Sequence, residues 1–296
     1  MIPESRPATA SAALQAPAVR RHLPVGRLAA GLPLIVHADD FGETLEITRG
    51  ICLGIEAGAI TSTSILANMP GTPDGLQRAA GLADRASFGV HLNFCEGRPL
   101  TPARSLVDGS GRFHAKRTLF AKAVTGQLAL ADVEAEVTAQ IARVHDGGVR
   151  ISHVDGHKHL HQLPVVATAV ANVLPRFAIR RVRITRLGSL ARTRSASMLV
   201  RELLAMKASR KFRGSGLRSP LRILDLRPFV VGGSGLQRCV DPKGPVELCC
   251  HPGTAAADRE KPGSHRRCVE LEFLLSAKFR ELLAVNEARL ISYWDV

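Results

Sequence analysis

Leu34-Ile35-Val36-His37-Ala38-Asp39-Asp40-Phe41-Gly42 carries the pattern that decides the fold: an apolar run followed at once by a cluster of titratable side chains. The apolar run predicts a buried strand, and the periodicity from Leu45 to Glu56, ending at Gly58, predicts an amphipathic helix after it. The same order recurs along the chain. Strands are expected at Ser62–Ala67, Phe88–Leu92, Val149–Val154, Arg181–Ile184, Phe229–Val231, Val246–Cys249 and Leu290–Tyr293. Helices are expected at Asp74–Leu82, at Asp132–Val144 with Asp132 as N-cap, between Pro164 and Pro175, and at Val269–Asn286. Pro99 to Arg117 has turn residues and no clear period, which predicts a long loop. Strand–helix alternation of this kind defines an α/β fold with a parallel sheet, open or closed into a barrel. No internal repeat is present, so a single catalytic domain from residue 32 onward is expected, after a low-complexity extension at residues 1–31.

Composition narrows the function. The chain has 296 residues, 45% of them hydrophobic and 22% charged, which excludes a disordered chain or a small disulfide scaffold. No apolar stretch approaches the roughly 18 residues of a membrane span, and no signal peptide is read at the start. Six cysteines without a CxxC pair read as thiols in a reducing, cytoplasmic setting. The net charge of +14 is concentrated: Arg176 to Arg227 holds fifteen Lys/Arg against Glu202 and Asp225. That block fits a solvated helix face, or peripheral contact with an acidic partner. Only Phe177 and Phe212 are aromatic within it, so no specific nucleic-acid binding is expected.

In parallel α/β folds chemistry sits at the C-terminal strand ends. Four polar clusters lie there: His37 to Gly42, His91 with Asn93, His153-Val154-Asp155-Gly156-His157-Lys158-His159-Leu160-His161, and Cys249-Cys250-His251-Pro252-Gly253. Imidazoles mixed with carboxylates are the donors of catalytic divalent-metal sites. Adjacent residues of an extended segment point to opposite sides, so Asp39 and Asp40 divide their labour, one ligating a metal and the other acting as general base.

These residues resemble the YdjC/ChbG-type carbohydrate deacetylases. That family's opening Asn-Ala-Asp-Asp-Phe-Gly appears as His37-Ala38-Asp39-Asp40-Phe41-Gly42, with His37 replacing the usual Asn. Thr61 to Pro70, Gly89 to Asn93, His153 to His161, Glu247 to Gly253 and Arg289 to Tyr293 match its other signatures in order. The resemblance is least between about Gly188 and Leu221, which reads as an Arg-rich insertion.

The resemblance implies a distorted (β/α) barrel related to polysaccharide deacetylases. It also implies one divalent ion, magnesium by family habit, although two imidazoles with a carboxylate favour zinc or another transition metal. Metal ligands then fall on Asp40, His91 and His157, the base on Asp39 and the acid on His251. The expected reaction removes N-acetyl groups from an amino sugar or glycan. His159 and His161 are assigned to orienting ligands or touching the sugar, and Arg183 to substrate binding. A homo-oligomer is compatible with these features. The alternatives are another metal-dependent hydrolase, of phosphoesters or non-sugar amides, or a non-enzymatic protein binding nucleic acid or anionic lipid.

Overall fold

The computed structural model describes residues 31–185, 196–232, 244–254 and 266–296. The expected extension at 1–31 lies outside these apart from Gly31, as does the part of the Arg-rich insertion up to residue 195.

Among the described residues seven strands form one parallel sheet: β1 Leu32–Phe41, β2 Ser62–Ile65, β3 Ser87–Leu92, β4 Ile151–Gly156, β5 Arg222–Asp225, β6 Val246–Cys250 and β7 Ala288–Leu290. The order is β4-β3-β2-β1-β6-β5, with β7 paired to the first residues of β1. Between β4 and β5 the circuit continues through single parallel bridges, Val154 to Val182 and Arg181 to Arg218. The expected strand at Arg181–Ile184 is therefore a bridge, and the barrel closes irregularly there.

Nine helices are described around the sheet: α1 Leu45–Glu56, α2 Thr72–Leu82, α3 Lys116–Val124, α4 Leu130–Asp146, α5 Pro164–Val173, α6 Ala196–Gly214, α7 Arg227–Val230, α8 Arg266–Leu275 and α9 Ala277–Val285. Thr44 starts α1 by accepting a hydrogen bond from Ile47 N at 3.3 Å, a cap worth about 1 kcal/mol. The helices bury Ile47, Ile51, Ile55, Val133, Val137, Ile141, Val166 and Val170 against the outer face of the strands. Each such side chain contributes about 1.5–3 kcal/mol by leaving water.

Five further local expectations fail. Of Leu290–Tyr293, expected as a strand, only Leu290 belongs to β7, and Tyr293 opens a 3-10 turn capped by Ser292. Phe229–Val231 is a helical turn, because Pro228 sits at its start and the strand falls earlier, at Arg222–Asp225. The single helix expected from Val269 to Asn286 is two, broken where the Ser276 hydroxyl caps α9 by accepting from Phe279 N. Asp132 lies inside the first turn of α4, and its carboxylate accepts from Ser105 N at 2.7 Å instead of capping. Pro99–Arg117 contains a 3-10 turn at Arg104–Leu106, and buried Glu136 pins it by accepting from Leu100 N and Thr101 N.

The inner face of the sheet differs from the outer one. Alternation places His37 and Asp39 of β1, Ser62 and Ser64 of β2, His91 of β3, His153 and Asp155 of β4, and Glu247 and Cys249 of β6 in the barrel, all buried. Below this polar layer Ile35, Ile291 and Tyr293 form a small separate apolar cluster. The Tyr293 ring stacks on His153 at 3.6 Å between centroids, and its hydroxyl donates to Glu247 Oε2. On the far side of His153 lies Gly89, where a Cβ would stand 2.5 Å from the imidazole Cε1.

Candidate active site

Asp39 and Asp40 are separated by the backbone itself. Asp40 has φ +72°, a left-handed conformation uncommon for a residue with a Cβ, and the β1–β2 register shifts between Ala38 and Phe41. Such a conformation costs about 1–3 kcal/mol and persists only where its surroundings impose it. Lys158 and His159, immediately after β4, are also left-handed. Three of the five non-glycine residues with positive φ among the described residues thus lie at or just beyond the C-terminal ends of β1 and β4.

Asp40 turns toward His157 and His91. His157 Nδ1 is 2.9 Å from Asp40 Oδ1, and His91 Nε2 is 3.4 Å from the same oxygen. One donor atom from each of Asp40, His91 and His157 lies within 4.8 Å of the others. The opposite ring edges face carboxylates, by a hydrogen bond for His91 and by proximity alone for His157, whose Nε2 has no hydrogen-bond partner. His91 Nδ1 contacts Asp155 Oδ1 at 2.8 Å, and His157 Nε2 contacts Glu96 Oε1 at 3.2 Å. Fixing the outer nitrogen of an imidazole by a carboxylate orients the inner one. Arg267 of α8 donates to Asp40 Oδ2 at 2.6 Å and to Glu43 Oε2 at 3.2 Å.

Asp39 turns the other way, into the barrel. Arg183 donates to its Oδ2 from Nη1 at 3.0 Å and to its Oδ1 from Nη2 at 2.7 Å. The same guanidinium meets Asp155 and Glu247, so one cation is shared by three buried carboxylates. His37 Nε2 lies 3.5 Å from Asp39 Oδ1 and 3.4 Å from Asp155 Oδ2, and its ring is held by Ser62 and Ser64. His251 Nε2 approaches Asp39 Oδ2 to 3.8 Å from the mouth, with its side chain 30% exposed.

These contacts set the charges. Burial would raise the carboxyl pKa of Asp39, but Arg183 and then His91 hold it well below the usual range. Burial acts likewise on Asp40, and His157 overcomes it. Burial opposes charging His91, yet Asp155 and Asp39 pull its pKa up to about 10. His159 and His161 go the other way, to about 3 and about 4, because burial disfavours their charged forms.

Two residues expected to face the substrate do not. Arg183 is completely buried and spends its guanidinium on Asp39, Asp155 and Glu247, so it cannot line a groove. His161 is also completely buried; its Nε2–H donates to the Arg183 carbonyl at 2.9 Å. A Cβ on Gly156 would stand 2.7 Å from His161 Nδ1, so the glycine admits that ring. His159 is half-buried, with Nδ1 3.3 Å from Thr185 Oγ1. Glu96 and Arg267 escaped the sequence reading, and Glu247 enters it only as the first residue of a strand-end motif. Only Glu247 carried a local signal, as a charge inside an apolar strand.

The sequence profile described as YdjC-like protein matches residues 33–285, and the chain belongs to this family. A carbohydrate deacetylase from Brevibacillus brevis is 27% identical over 90% of this chain and 100% of its own length. The mouse carbohydrate deacetylase is 39% identical over 158 residues, which make up 51% of this chain and 50% of the mouse protein. The matched region therefore spans about half the length of that curated relative. A crystallised Enterococcus faecalis V583 protein, described as a candidate for cellobiose-phosphate cleavage, shares the fold with a TM-score of 0.71 at 22% identity. That superposition covers 90% of this chain and 99% of the other.

Proposed function

We propose that the chain is a carbohydrate deacetylase, a metal-dependent hydrolase that removes N-acetyl groups from an amino sugar or glycan. The carrying observation is the convergence of Asp40, His91 and His157 within 4.8 Å, beside a carboxylate and an imidazole left outside that set, Asp39 and His251. Membership of the YdjC-like family and the names of its curated relatives support the carbohydrate substrate.

The donors fit a divalent cation. One carboxylate and two imidazoles form a set with room for further ligands, and both rings have their outer nitrogens against carboxylates. Two imidazoles beside one carboxylate favour zinc or another transition metal by ligand softness, whereas the family resemblance points to magnesium. When bound, the ion supplies an acidified water and a Lewis acid for the amide oxygen.

The chain's own groups do the rest. Asp39, kept ionised by Arg183, is the carboxylate that accepts the proton of the attacking water. The pair with Arg183 also fixes where the accepting oxygen points. His251, reaching the mouth from the end of β6, donates a proton to the departing sugar nitrogen. Acetate and a free amine leave. A proton donor of this kind contributes typically about 10²–10⁴-fold. A reducing, cytoplasmic setting belongs to the same reading, and none of the described helices is long and apolar enough to cross a membrane.

The test pairs acetate release with metal content by elemental mass spectrometry. Wild type should hold about one divalent ion per chain and release acetate from N-acetylglucosamine oligomers or acylated glycolipids. Folded Asp40→Ala, His91→Ala and His157→Ala should lose both. Phosphate release from model esters without acetate release would move the reading to a phosphoesterase.

A further inference from the structure

One group of donors shares no residue with Asp40, His91 and His157, although its Asp39 Oδ2 lies 3.9 Å from His91 Nε2. Cys249 on β6 is paired in register with His37, so its side chain enters the barrel, while Cys250 points outward and its Sγ contacts the His37 carbonyl. Two residues on from Cys249, His251 follows on the same face. Asp39 on the neighbouring strand completes the group: one donor atom from each of Asp39, Cys249 and His251 lies within 4.8 Å of the others.

Two features show that these donors are not committed to one another. His251 Nδ1 is buried without a hydrogen-bond partner, and Nε2 is 3.8 Å from Asp39 Oδ2, too long for a hydrogen bond. Asp39 accepts two bonds from Arg183, and a carboxylate has about four lone-pair positions. The partly exposed His251 gives the group a route to solvent, which the deeper barrel residues lack.

We propose that Asp39, Cys249 and His251 form a second cation site, for a thiolate-preferring divalent ion such as zinc, cadmium or cobalt, and that filling it takes the base and the acid out of use. Binding breaks the Cys249 S–H bond, forms a sulfur–metal bond and releases the proton to solvent. A thiol, an imidazole and a carboxylate are a zinc-type donor set, whereas magnesium and calcium prefer oxygen alone. The first set has no sulfur, which makes the two sites distinguishable. The inhibitory part rests on the deacetylase reading; the cation site does not.

The experiment is a cobalt(II) titration of the metal-free full chain, followed by near-ultraviolet absorption. The expected result is a thiolate-to-cobalt charge-transfer band in wild type that is absent in Cys249→Ser and at least tenfold weaker in apparent affinity in His251→Ala. The band should persist in Asp40→Ala, which separates this site from the first. X-ray absorption of the wild-type protein with two zinc ions should show a sulfur neighbour at about 2.3 Å, whether or not the variants fold. Absence of the band in wild type, its survival in Cys249→Ser, or a shell of nitrogen and oxygen only would overturn the site. Zinc beyond the first equivalent should lower acetate release at least tenfold in wild type and less in Cys249→Ser; equal inhibition of both would overturn the inhibitory role. Loss of acetate release from every preparation, with the band intact, would count against the deacetylase reading alone.

Discussion

Arg183 and Asp39, 144 residues apart in the chain, form a two-bond pair at 3.0 and 2.7 Å inside the barrel. Neither residue can lose its partner cheaply, because Arg183 also serves Asp155 and Glu247 where no water reaches it. Arg183→Met should destabilise the fold by about 3–5 kcal/mol, since removing one member leaves buried charge uncompensated. Arg183→Lys should fall between, keeping charge but losing the two-bond geometry. Urea unfolding of the three proteins measures this; a Met variant within about 1 kcal/mol of wild type would mean the network carries little energy.

Cation binding at Asp40, His91 and His157 should be visible as stability. An ion that binds only the folded chain adds about 2.7 kcal/mol at a free concentration 100 times its Kd. Wild type should therefore melt higher with added manganese or zinc, in a concentration-dependent way. His157→Ala, judged folded by circular dichroism, should gain little. Equal gains in both proteins would place the ion elsewhere.

His161 predicts a pH effect with a definite sign. Its folded-state pKa, about 4, lies below the ordinary 6.5, so between those values the unfolded chain binds the extra proton. The folded state is favoured above pH 6.5 and loses that advantage as the pH falls toward 4, at up to about 1.4 kcal/mol per pH unit. In His161→Gln this part of the acid slope should vanish. Parallel stability curves for the two proteins from pH 7 to pH 4 would show that the imidazole charges freely in the folded state.

Gly89→Ala tests the barrel floor. The new methyl would stand 2.5 Å from the His153 ring, which cannot retreat because Tyr293 stacks on its other face at 3.6 Å. Overpacking of this kind costs typically about 1–3 kcal/mol. Thermal or urea unfolding should show that loss, and Gly89→Ala with His153→Ala should recover part of it.

Much of this architecture was legible locally. The apolar run before His37 and the strand candidate ending at Leu92 announced strands and their active ends, because buried parallel strands and strand-end chemistry both leave marks within ten residues. Arg183 was legible as a charge on a strand but not as a buried one, since its partners come from β1, β4 and β6. Arg267 left no mark at all: it meets Asp40 across 227 residues of chain. Phe229–Val231 misled because an apolar triplet behind a proline suits a short helical turn as well as a strand.

The central position of β1 also governs when the chemistry can come into being. Its neighbours are β2 on one side and β6 on the other, and Asp40 acquires His157 and Arg267 from segments 117 and 227 residues further on. Contacts of such long sequence separation are slow to form, because loop-closure entropy must be met before they contribute. The first strand of the described fold therefore waits for the last third of the chain, and no partly folded intermediate carries a finished catalytic centre. Recovered activity during refolding should keep time with the slowest structural phase, never ahead of it.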